Sequence, residues 1–161
     1  MMQLQHLPPH ARLWLFLSDK ALSETQEAQL SQLLTQFTDS WKSHGQPLSA
    51  GFAILHGHIV IIAVDQQVES PSGCSIDKAF RILQEFGGSH GLDFFQRLLI
   101  PLDMPEGITI VPRSQIAGML TNGELSPQQP YFDLTIQSLD ALRNNFRKPL
   151  TEGWALKGIS V

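Results

Sequence analysis

The chain has 161 residues, of which 42% are hydrophobic and 16% charged, enough apolar content for one well-covered core and too much for intrinsic disorder. Its net charge is −4, and the only adjacent basic pair is Arg147-Lys148, so the basic patch of a nucleic-acid binder is missing. No apolar run reaches membrane-spanning length. The single cysteine, Cys74, excludes an internal disulfide and a multi-cysteine zinc site, which makes a reducing cytoplasm the expected home.

Residues 1–11 read as an irregular arm, with Pro8 and Pro9 blocking helix, and Arg12 to Leu17 is an apolar run of strand length. Ser23-Glu-Thr-Gln26 has the form of a capping box. The stripe behind it, Leu30, Leu33, Leu34, Phe37 and Trp41, has helical spacing, and Gly45 is placed to end that helix. Ala50–Leu55 and Ile59–Val64 flank a tight turn at His56-Gly57 or Gly57-His58, the pattern of a hairpin. A second helix starts near Cys74 or Ser75, with Ile76, Ala79, Phe80, Leu83 and Phe86 on one face, and Gly87-Gly88 weakens its end. Phe94 to Leu99 reads as the next strand.

This order, β-α-β-β-α-β, is the split βαβ pattern. The fold class expected is α+β, a ferredoxin-like core over about residues 11–102 with an extra strand (Gly107–Val111) and C-terminal helices over about 103–161, all one domain. The added helices run from Gln115 to Leu120, capped by Ser114, and beyond Ser138 with Leu139, Leu142 and Phe146 apolar. Strands such as Ile59-Val-Ile-Ile-Ala-Val64 are apolar on both sides, so something must cover the second face of the sheet. The last third of the chain is one cover, and a homodimer is the other.

Three constellations can carry chemistry. Cys74, in Ser72-Gly-Cys-Ser-Ile-Asp77, stands at a helix start, where amides and the helix dipole favour a thiolate; Gly73 leaves room for a ligand, and His44, His56 or His58 are candidate bases. The same residues also make an ordinary cap, Cys74 or Ser75 at the start and Asp77 in the first turn. His56-Gly-His58 with Asp65 can bind a metal; the hairpin also resembles that of nucleases with a His-hydrophobic-His pair, though the middle residue here is Gly57, and turn histidines on a surface look the same. Trp41-Lys-Ser-His44-Gly45 fits a core tryptophan followed by a histidine that suits a helix C-terminus. Phosphate loops, dinucleotide fingerprints, nucleophile elbows and zinc-protease motifs are all missing from the sequence.

Trp41-x-x-His44-Gly45-x-Pro47-Leu48, the Val64-Asp65 strand end, Ser72-Gly-Cys-Ser-Ile-Asp77, and Arg147-x-Pro149 with Trp154 together resemble a family of small bacterial proteins that often carry the label "ABC transporter ATPase". The resemblance spans most of the chain and implies no activity and no catalytic residues. The label does not fit the chemistry of such an ATPase, which needs a phosphate loop. The residues favour a non-enzymatic domain that binds a small ligand or a protein, with Ser72, Gly73, Cys74, Ser75 and Asp77 as its ligand-binding candidates. No cofactor, metal, membrane or nucleic-acid partner is expected. The alternative is a thiol-dependent enzyme or redox sensor using Cys74.

Overall fold

A computed structural model describes residues 4–43, 45–66 and 73–159, with the backbone alone described at 43 and 73–75. Strand β1 (Arg12–Leu17) leads into helix α1 (Glu24–Ser40), which opens with the capping box: Ser23 Oγ accepts from the Gln26 amide at 3.2 Å, and Gln26 Oε1 accepts from the Ser23 amide at 2.9 Å. Leu30, Leu34 and Phe37 bury one face of α1. Leu33 stays 41% exposed at the edge of the stripe. The helix stops earlier than its stripe suggests. Trp41 is an extended C-cap held in the core between Phe37 and Trp14, and Gly45 (φ +82°) belongs to the turn between β2 (Lys42–Ser43) and β3 (Gln46–Pro47).

Strands β4 (Ala50–Leu55) and β5 (Ile59–Val64) form the expected hairpin. His56 (φ +54°) and Gly57 (φ +66°) are both left-handed, a turn geometry that matches the twist of paired strands. The first sheet has the order β1-β5-β4, all antiparallel, and every residue of β5 is buried. Helix α2 (Gly73–His90) then packs with α1 on one face, around Val60, Ile62, Val64, Leu83 and Phe86. It runs straight through Gly87-Gly88. Gly87 is the residue against which the chain folds back, its carbonyl accepting from the Leu92 amide at 2.9 Å.

From here the chain departs from a ferredoxin-like sheet. The strand expected at 94–99 forms later, as β6 (Leu99–Met104), because the Asp93 carboxylate takes the Phe95 amide at 2.8 Å and turns the backbone. Strand β6 does not pair with the outer edge of β1 and enters a second antiparallel sheet, β7-β6-β8-β9, with β7 (Gly107–Pro112), β8 (Pro130–Phe132) and β9 (Arg147–Pro149). Helix α3 (Arg113–Thr121) starts without a side-chain cap, so Ser114 does not serve as one, whereas Ser138 does cap α4 (Leu139–Asn145).

The second face of the first sheet is covered from within the chain. Leu13, Leu17, Ile59, Ile61 and Ala63 pack against the arm residues Leu4 and Leu7 and against Phe132, Leu139, Leu142 and Phe146. The far face of the second sheet buries Ile100, Leu102 and Tyr131 against Ile116 of α3 and Ala155. The layers are therefore helices, sheet, sheet, helix.

Candidate functional site

Two of the sequence candidates, His44 and Ser72, lie outside the described residues, as do the side chains of Cys74 and Ser75. The backbone places Gly73, Cys74 and Ser75 in the first turn of α2, with Asp77 exposed one turn on. The hairpin histidines stand at the other end of this layer. The Gly57 and His58 carbonyls accept from the Leu22 and Ser18 amides, both at 2.8 Å, and Asp19 in that same loop bonds Asp93 just beyond the end of α2. Sixteen residues of helix separate Cys74 from His90, about 24 Å at 1.5 Å per residue. His58 Nδ1–H donates to the Ser18 carbonyl at 3.1 Å, and the exposed His56 ring lies over Phe132, with centroids 5.0 Å apart. Asp65 follows the opposite end of β5 and meets His10 Nε2 at 3.1 Å, so His56, His58 and Asp65 do not converge. Among the described residues no group of three or more metal-binding side chains occurs.

The feature with the dimensions of a ligand site is a groove along the free edge of β1. Its volume is about 430 Å³, within the usual range for ligand pockets of about 300–1,000 Å³. Leu13 to Leu17 form one side, Phe94 to Arg97 and Leu134 to Gln137 the others, and Trp154 closes it. Phe80, Phe94 and Phe95 continue into an adjoining cavity of about 460 Å³ beside Leu83 and Leu92. The rings of Phe16, Phe80 and Phe95 stand 5.1–6.0 Å apart and make an aromatic wall. Phe95 is 39% exposed; among the described residues Arg97 is the one charged residue lining the groove, and Asp93 lines the adjoining cavity.

The groove exists because two segments begin to pair with β1 and then leave it. The Leu13 amide donates to the Gln137 carbonyl at 3.0 Å, and the Asp19 amide to the Asp93 carbonyl at 3.0 Å. Between these two clamps no strand among the described residues lies beside β1 on the side away from β5. Each departing segment is held away by an aspartate. Asp133 Oδ1 accepts from the Thr135 amide at 2.9 Å and its hydroxyl at 2.6 Å, and Asp93 Oδ1 accepts from the Phe95 amide.

Asp133 is itself buried, with Lys148 Nζ 2.9 Å from its other oxygen. Burial pushes its pKa up, but the hydrogen bonds from Thr135 and Lys148 together outweigh this and hold the carboxyl below its ordinary value. The nearby Tyr131 side chain is fully buried; burial, with the Asp133 charge added, pushes its pKa up to about 12. None of the catalytic, ligand-binding or metal candidates from the sequence lines the groove, whereas Phe80 of the α2 stripe and Trp154 of the resemblance do. Phe94 and Phe95 were visible there as a strand, and nothing in their spacing marked a wall.

Comparison of the chain with family models, curated proteins and solved structures yields no match. No helix among the described residues is long and apolar enough to cross a membrane.

Proposed function

We propose that this chain is a non-enzymatic cytoplasmic binding domain whose ligand lies in the groove beside β1. One observation carries the reading: an apolar cavity of ligand size, walled by Phe80, Phe94 and Phe95, with a single cation, Arg97, to orient what enters. An apolar molecule or segment bearing an anionic group fits that lining. The resemblance to small bacterial proteins stands beside this reading as a proposal and adds no activity to it.

Anilinonaphthalene sulfonate, an apolar anion, is a direct probe. Trp14 and Trp154 line the groove and report its occupancy by fluorescence. The native protein is expected to bind the dye saturably at one site. Phe95→Asp is expected to weaken binding by about tenfold or more, the scale of losing one aromatic anchor. A native chain that binds no dye, or a Phe95→Asp variant that binds it unchanged, overturns the proposal.

A thiolate at Cys74 is the second reading, favoured by the start of α2 at Gly73, which sets Cys74 in the first helical turn, where the amides have no partner within the helix. Alkylation of the folded protein that stays fast down to about pH 6 supports it, and a thiol that reacts only in denaturant removes it.

A further inference from the structure

The edge of β1 carries backbone groups of its own, and they specify what can lie beside it. In an antiparallel strand, alternate residues point their N–H and C=O to opposite sides. The Ser18 amide bonds His58 on the β5 side, while the Leu13 and Asp19 amides bond Gln137 and Asp93 on the other. The odd-numbered residues therefore face the groove. Within β1 only the Leu13 amide among them is bonded. The amides of Leu15 and Leu17 and the carbonyls of Leu13, Leu15 and Leu17 have no backbone or side-chain partner among the described residues.

Unpaired strand edges invite another strand. This edge is recessed between the segments 94–97 and 134–137, which favours a single extended segment over the edge of a second folded copy. Its own neighbours are committed elsewhere, since the Thr135 and Phe95 amides are held by Asp133 and Asp93. A compact apolar ligand would leave the row of amides and carbonyls unanswered. A peptide backbone answers each of them at the strand spacing, and Arg97 meets a carboxylate.

We infer that the groove takes up an extended peptide of alternating apolar residues with one acidic side chain, added antiparallel to β1 as a further strand. The inference rests on the groove being a binding site, and it names the class of occupant.

The test is to pan random linear heptapeptides displayed on phage against the full chain and to synthesise the enriched sequence. Apolar residues at alternate positions with an acidic residue are expected, and Arg97→Glu is expected to weaken binding roughly tenfold. Methylating the peptide nitrogens at alternate positions separates strand addition from simple apolar contact. One parity is expected to reduce affinity at least about tenfold, and the other parity, shifted by one residue, to leave it nearly unchanged. Leu15→Pro removes a groove-facing amide without touching the ladder to β5, a place where an edge strand tolerates proline, and is expected to lose the peptide while keeping its circular dichroism. Should that variant unfold, the methylated peptides decide alone. No enriched sequence, or equal sensitivity at both parities, overturns strand addition. Dye binding that survives in either case leaves the groove itself standing as a ligand site, whereas loss of dye binding removes both.

Discussion

At the scale of single residues, the Asp133–Lys148 pair sets how the protein responds to acid. The folded pKa of Asp133 lies below its ordinary value of 3.8, so its stabilising contribution is full above that value and disappears as the pH falls through the folded one. Asp133→Asn is expected to be less stable than the parent at neutral pH, by a gap that holds down to about pH 4 and closes below it, as urea midpoints will show. Lys148→Met leaves a buried carboxylate without its cation and is expected to cost about 3 kcal/mol at pH 7. Tyr131 acts at the other extreme. With its pKa raised from 10.0 to about 12, it favours the folded state fully below pH 10, and that contribution is lost as the pH rises from 10 through 12. It is the chain's one tyrosine, so phenolate absorbance reads it directly. Titration of the folded protein near pH 10 would contradict its burial. None of this was legible in the sequence, where nothing in the spacing of Tyr131, Asp133 and Lys148 brings them together. The two short strands that bring them together, β8 and β9, have three residues each.

At the scale of elements, the first half of the chain was readable and the second was less so. The capping box at Ser23, the α1 stripe and the hairpin at His56-Gly57 follow from local rules, and each stands where those rules put it. Two errors have local causes that periodicity does not register. Trp41 has the helical spacing but caps the helix in an extended conformation, and Phe94-Phe95 has the look of a strand but loses an amide to Asp93. The groove was illegible for a deeper reason: it arises where pairing between residues far apart in the chain, Leu13 with Gln137 and Asp19 with Asp93, begins and then fails. The two glycines near the end of α2 offer a sharp contrast. A Cβ on Gly87 would meet the Leu92 carbonyl oxygen at 2.5 Å, whereas one on Gly88 meets nothing within 4 Å. Gly88→Ala is expected to stabilise the protein by about 0.5–1 kcal/mol and Gly87→Ala to destabilise it, both measured by thermal unfolding.

At the scale of the whole molecule, the β5 residues are shared between the two larger cores, with Val60, Ile62 and Val64 facing the helices and Ile59, Ile61 and Ala63 facing Phe132, Leu139 and Phe146. Cores joined through one strand should unfold together, so a single transition is expected in urea, with circular dichroism and tryptophan fluorescence coinciding. A chain ending at residue 102 lacks Phe132, Leu139, Leu142 and Phe146 and is expected to aggregate rather than fold. The same sharing bears on how the protein is made. Synthesis proceeds from the N-terminus, and β1, β4 and β5 are complete by residue 64, long before the residues that roof their outer face leave the ribosome. At about 5–20 residues per second, the wait from Val64 to Phe146 lasts several seconds. During that interval the nascent chain displays an apolar sheet surface of the kind that chaperones cover.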